Sequence, residues 1–134
     1  MNLILTILHS VPFFQTLTDE ENHEIIEHIT EQFYPANYKL FSKGDMGDAM
    51  YIIKSGMVKV FDGEKEIASL GDEEFFGEMS LIESVPRNAT VETLSDCEIF
   101  VLKREDFNKL LEKNPEIAQK VKAAYAARKA ENEK

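Results

Sequence analysis

Phe75-Phe76-Gly77-Glu78-Met79-Ser80-Leu81-Ile82-Glu83-Ser84-Val85-Pro86-Arg87-Asn88-Ala89-Thr90-Val91 is the stretch on which the reading of this chain turns. Its first half sets a Gly-Glu pair at the head of a short helix-like turn. Its second half places one arginine directly behind a proline and ahead of a strand-like run. A guanidinium is a planar fork that fits two oxygens of an anion. Glycine permits close approach of a ligand. If Gly77 leads into a helical turn, the N–H groups of Glu78, Met79 and Ser80 face outward and favour negative charge. Glu78 cannot bind an anion itself, but its carboxylate accepts a hydrogen bond from a hydroxyl beside one. Read alone, Arg87 also fits a surface salt bridge. Glu78 as the acid of a glycosidase is the rival reading, and no partner carboxylate with matching context is found for it.

Upstream of this stretch the hydrophobic period is two. Strands are expected at Tyr38–Phe41, Ala49–Ile53, Met57–Phe61 and Ile67–Leu70. Turn signals divide them: Lys43 to Asp48, Lys54-Ser55-Gly56, Asp62-Gly63 and Gly71-Asp72. Gly44 and Gly47 do not make a phosphate loop, because no Gly-Lys-Ser/Thr follows, and the segment reads as a plain loop between strands. Downstream, Ala89–Thr93 and Glu98–Leu102 return to the strand pattern. Short strands with frequent Gly/Asp turns indicate an antiparallel barrel or jelly roll.

Helices flank the strands. Residues 1 to 10 read as a short helix, broken by Val11-Pro12-Phe13-Phe14. Thr18-Asp19-Glu20-Glu21 fits a capping box that opens a helix from Asp19 to about Gln32. A helix from about Glu105 to Lys113 follows the last strand. Asn114 then caps, and Pro115 opens, a final helix carrying Ile117, Val121, Ala124, Tyr125 and Arg128 on one side. The expectation is one domain: 1–32 helical, 33–103 a β-roll with the decisive stretch at 75–91, and 104–134 helical.

Composition narrows the function. The net charge is -10 over 134 residues, which argues against direct nucleic-acid binding and against anionic membranes. An anionic ligand therefore needs a local cation. Cys97 is the only cysteine, so no intrachain disulfide forms, and a reducing, cytoplasmic location is the inference. His9, His23 and His28 lie in the helical N-terminal third, with His23 and His28 off the i, i+4 spacing, so no metal site is expected. The apolar run Leu3–Leu8 is too short for membrane insertion. It reads as a packed helix face that docks on the C-terminal helices or makes a homodimer contact.

Phe76-Gly77-Glu78-Met79-Ser80-Leu81-Ile82 followed by Pro86-Arg87-Asn88-Ala89-Thr90-Val91 closely resembles the phosphate-binding cassette of cyclic nucleotide-binding domains. Tyr51 to Val60 resembles that family's strand–Gly–strand segment, and Lys43-Gly44-Asp45 with Gly47-Asp48 its preceding loop. The resemblance implies an α+β, mainly β fold: an eight-stranded antiparallel β-roll with N-terminal helices and two C-terminal helices. It implies that cyclic phosphate is held by Arg87 with Ser80, Asn88 and Ala89, and ribose by Gly77, Glu78 and Met79. Glu78 would accept from the 2′-OH, the one free ribose hydroxyl of a 3′,5′-cyclic nucleotide. The family's C-terminal helix closes over the base, which offers Tyr125 as a stacking lid and Arg128 as a base or helix contact. Plain core packing of Tyr125 stays open. Asn88 stands where Ala, Ser or Thr is commoner, and so bears on the choice of base. The expected ligand is cAMP, with cGMP the alternative. The function implied is a non-enzymatic receptor or regulatory domain without cofactor, whose ligand repositions the C-terminal helices toward a protein effector, with Asn114-Pro115 as hinge. The alternative is a degenerate member that binds protein and no nucleotide.

Overall fold

Alternation of period two places Ala49, Tyr51 and Ile53 on one face of a strand, and Cys97, Ile99 and Val101 on one face of another. Both rows lie in one buried cluster with Val58, Phe76 and Val91. In the computed structural model, which describes residues 3–132 and only the backbone of 130–132, these two strands pair antiparallel. Tyr51 faces Val101 and Ile53 faces Ile99. The strands are β1 (Thr30–Tyr34), β2 (Lys39–Phe41), β3 (Ala49–Ser55), β4 (Val58–Asp62), β5 (Lys65–Leu70), β6 (Phe75–Phe76), β7 (Thr90–Thr93) and β8 (Cys97–Lys103). They form two four-stranded antiparallel sheets, ordered β1-β8-β3-β6 and β2-β7-β4-β5. The fold is mainly β with flanking helices, as expected from the sequence.

Residues Thr30–Arg104 form one compact unit, and the segments flanking them form a second, helical one. The helical unit contains α1 (Leu3–Ser10), a 3-10 turn at Pro12–Phe14, α2 (Asp19–Ile26), α3 (Arg104–Lys113, whose first residue belongs to the β unit) and α4 (Pro115–Asn132). Phe13 and Phe14 are fully buried. Phe14 packs on Phe107 at 5.7 Å between ring centroids, and Phe13 on Tyr125 at 6.1 Å. At the α3–α4 junction Pro115 takes the first helical position, and the Asn114 side chain donates back to the Leu110 carbonyl at 2.9 Å.

The capping box of α2 forms as read. The Glu21 N–H donates to Thr18 Oγ1 at 3.1 Å, and the Thr18 N–H to Glu21 Oε1 at 2.9 Å. Lys120 Nζ reaches the same carboxylate oxygen at 2.7 Å. The hydrogen bond from Lys120, then that from Thr18, holds the Glu21 carboxyl below its ordinary range. A lowered carboxyl stabilises the fold above the usual glutamate pKa of about 4.3 and loses that contribution as pH falls through the folded-state value. Thr18→Ala is expected to cost about 1 kcal/mol. Glu21→Gln is expected to flatten the acid limb of stability against pH below about 4.3, as read by thermal melts from neutral to pH 3.

Two boundaries differ from expectation. Helix α2 stops at Ile26 rather than near Gln32, and Thr30–Tyr34 forms β1. Ile29 continues the spacing of Ile25 and Ile26, but pairing of Thr30 with Val101 through Tyr34 with Cys97 overrides local helical pattern. β1 is a sheet edge and largely exposed, with Phe33 at 63%, so it carries no alternation to read. β6 is two residues long, too short for any period. Among the described residues no helix is long and apolar enough to cross a membrane.

Candidate functional site

β6 delivers the chain to Gly77, which adopts a left-handed backbone with φ 79° and opens a 3-10 turn at Glu78–Leu81. Only glycine enters that conformation freely. Close approach adds a second requirement, since a Cβ on Gly77 would lie 2.8 Å from Arg87 Nη1 and 3.0 Å from the Ala49 carbonyl oxygen. Gly47 is needed for space alone: its Cβ would overlap Ser80 Oγ and lie 3.2 Å from Arg87 Cζ.

Arg87 is held from both ends. Its N–H donates to the Asp45 carbonyl at 2.6 Å, and its carbonyl accepts from the Gly44 N–H at 2.9 Å. Gly47 N–H donates to the Val85 carbonyl at 3.1 Å, and Met46 bridges to Pro86. The Lys43–Asp48 segment is therefore more than a connector between strands; it straps down the backbone of the arginine. The side chain is 9% exposed. Nη1 donates to Ser80 Oγ at 2.7 Å and Nη2 to the Ala49 carbonyl at 2.8 Å. Both acceptors are neutral, so they orient the fork without cancelling its charge. The guanidinium stacks 4.1 Å from the centroid of Phe41, with Tyr51 at 5.9 Å. Phe41, Tyr51 and Phe76 make an aromatic floor, the last two stacked at 5.1 Å.

Burial lowers the pKa of Arg87, but an arginine begins high enough to stay cationic at neutral pH. Burial likewise pushes the Tyr51 phenol up to about 12, against a smaller opposing pull from Arg87, so it stays neutral beside the fork. The outcome is a desolvated cation in an acidic molecule.

A cavity of about 320 Å³ opens above this fork, lined by Gly77, Glu78, Met79, Ser80, Arg87 and Asn88 together with Glu83, Val85 and Pro86. The structure thus brings together six of the site residues read from the sequence. Ala89 is buried and does not line the cavity. Ser80 departs from expectation in its N–H, which donates to the Gly77 carbonyl at 3.1 Å inside the turn instead of facing outward. A 3-10 turn closes its bonds over three residues and so consumes that donor. Tyr125 and Arg128 lie in the helical unit, where both pack on Phe13, the Arg128 guanidinium 5.6 Å from its ring centroid.

Sequence reading missed Arg104. Its N–H donates to the Asp48 carbonyl at 2.8 Å. Its Nη1 donates to the carbonyls of Gly47 at 2.8 Å and of Ser80 and Glu83 at 3.4 Å each. Nothing in the run Lys103-Arg104-Glu105 separates it from an ordinary helix-start charge. A larger cavity, about 400 Å³, lies in the helical unit and is lined by Glu20, Glu21, Glu24 and Glu116 among others. Carboxylates in that number repel an anion, so size does not make it the rival site. Among the described residues no group of His, Cys, Asp or Glu could hold a metal ion.

Residues 31–114 match the family model described as the cyclic nucleotide-binding domain. The "Cyclic AMP receptor protein" of Thermus thermophilus is 34% identical over 122 residues, covering 87% of this chain but only 56% of its own length. The chain thus spans about half of that relative and less of the other first curated relatives. The crystal structure of the N-terminal domain of a transcriptional regulator from Streptomyces coelicolor is similar with a TM-score of 0.83 at 31% identity, over 94% of both chains. The regulatory domain of Toxoplasma gondii PKA, solved with cAMP, is similar with a TM-score of 0.71 at 30% identity, over 81% of this chain and 43% of the other. The chain is a member of the cyclic nucleotide-binding domain family.

Proposed function

We propose that this chain is a receptor for a 3′,5′-cyclic nucleotide, with cAMP preferred over cGMP. One observation carries the reading: the buried, charge-retaining fork of Arg87 and the Glu78 carboxylate line the same cavity. The fork suits the cyclic phosphate and Glu78 suits the 2′-OH. The relatives named for cyclic AMP or solved with it favour cAMP, while relatives named for cGMP-dependent protein kinases keep cGMP as the alternative. Asn88, exposed at the cavity wall, is the residue placed to influence the base. Tyr125 and Arg128 of α4 are proposed to contact the base, and Ala89 to offer its N–H to the phosphate. The domain is non-catalytic and signals to a protein effector through α3 and α4, the Asn114-Pro115 junction serving as hinge.

Calorimetric titration with cAMP, cGMP and 5′-AMP tests this. Heat with cAMP, weaker binding of cGMP and little binding of the doubly charged open phosphate are expected. No heat with either cyclic nucleotide would sink the receptor reading and leave the chain as a protein-interaction module.

A further inference from the structure

Among the described residues, three charged side chains line the cavity above the fork: Arg87, Glu78 and Glu83. With Arg87 on the phosphate and Glu78 on the 2′-OH, Glu83 is the one to which no part in binding has yet been given. Main-chain bonds fix its place just beyond the Glu78–Leu81 turn. Its N–H donates to the Met79 carbonyl at 2.9 Å, and its carbonyl accepts from Arg104 Nη1 at 3.4 Å. The side chain is half-buried at the wall. The cavity measures only about 320 Å³. Its walls stand within about one Debye length of each other, ~10 Å at 0.1 M salt, so a bound anion feels Glu83 wherever it sits.

Carboxylates on this wall outnumber cations two to one. Behind it, Asp48 and Asp45 act on the Arg87 charge in one sense and Arg104 in the other, so the surrounding groups do not reverse that balance. Arg87 Nε is buried and has no hydrogen-bond partner among the described residues, so the fork holds a donor ready for an acceptor. One negative charge is well served there. A second finds no further cation on the wall and meets both carboxylates. A cyclic phosphodiester carries one charge, whereas an open phosphate monoester carries about 1.5 to 2 at neutral pH. Repulsion from a fixed carboxylate grows with each charge on the ligand.

We propose, on the reading that the cavity takes a cyclic phosphate, that Glu83 is a specificity-determining residue. Its charge disfavours doubly charged phosphate monoesters and leaves singly charged phosphodiesters as the ligand class of the site. Glu83 acts through space on ligand charge, and the selection requires neither ring nor base to be read.

Calorimetric titration of the purified chain with adenosine, cAMP and 5′-AMP tests this through ligands of rising charge. Glu83→Gln keeps the side chain's shape and removes its charge. In that variant cAMP is expected to gain about threefold, 5′-AMP about tenfold and adenosine nothing. Equal gains for the two nucleotides, or none, overturn the role, since a merely structural glutamate does not count ligand charge. Glu83→Asp keeps the charge and should keep the wild-type ratio; loss of discrimination there assigns the effect to side-chain length and overturns the proposal. A second measurement separates Glu83 from the nucleotide reading. Monomethyl phosphate, doubly charged at about pH 8, and singly charged dimethyl phosphate are titrated while the Arg87 Nε–H signal is followed by ¹⁵N NMR. The monoester should gain about threefold over the diester in Glu83→Gln. That gain in a chain whose wild type binds no cAMP upholds Glu83 and overturns the nucleotide reading alone. Binding of cAMP with an unmoved ratio overturns Glu83 alone. No response of Arg87 to either phosphate, with no heat from any nucleotide, overturns both.

Discussion

Arg87→Ala is expected to lower affinity for cAMP at least about a hundredfold. Among the described residues the fork is the one cation that lines the cavity, in a chain of net charge -10, so no other side chain at that wall offsets the phosphate. A charge-assisted hydrogen bond contributes about 1.5–3 kcal/mol, and two of them lost together exceed two decades of affinity. The change also strips the Ser80 hydroxyl and the Ala49 carbonyl of their donor. An unmatched buried acceptor costs about 1–3 kcal/mol, so the melting temperature should fall while the fold survives. Arg87→Lys restores the charge but not the planar fork, and should recover only part of the affinity. Calorimetry beside a thermal melt separates the two effects. Wild-type affinity in the folded alanine variant would remove Arg87 from the site.

Gly77→Ala should be nearly as damaging, for a different reason. Its φ of 79° costs an L-residue about 1–2 kcal/mol. Its new Cβ would also stand 2.8 Å from Arg87 Nη1, so the fork must leave its place. Gly63 supplies the control. It has a φ of 64° in the turn between β4 and β5, but nothing lies within 4 Å of its Cβ direction. Gly63→Ala should therefore cost about 1–2 kcal/mol of stability and leave cAMP affinity unchanged. Matching losses of affinity in the two variants would show that backbone strain, not displacement of Arg87, weakens binding.

Much of this architecture was legible in the chain. Ala49 to Ile53 reads as a strand because a short apolar run bounded by turn signals suits a strand buried on both faces, and Thr18 with Glu21 caps a helix through chemistry confined to four residues. Gly77, Glu78 and Arg87 stand out by their order and spacing, not by residue type alone, and the structure sets all three on one cavity. The parts that escaped depend on distant partners. β1 exists through its pairing with β8, about seventy residues away, and its exposed face shows no period. β6 gains its identity only from Tyr51 and Ile52 opposite. The strap from Gly44 to Gly47 looked like a connector because its acceptors are main-chain atoms near residues 85 and 87, which carry no side-chain signature. Arg104 escaped for the same reason, as its targets are carbonyls. Ser80 was read for its N–H, whereas its hydroxyl carries the visible contact with Arg87.

Crystals of the chain grown with cAMP test the central claim most directly. The expected density places the phosphate oxygens within hydrogen-bond reach of the Arg87 guanidinium, with the 2′-OH donating to the Glu78 carboxylate. A nucleotide found elsewhere, or a cavity above Arg87 without one at saturating cAMP, would contradict it.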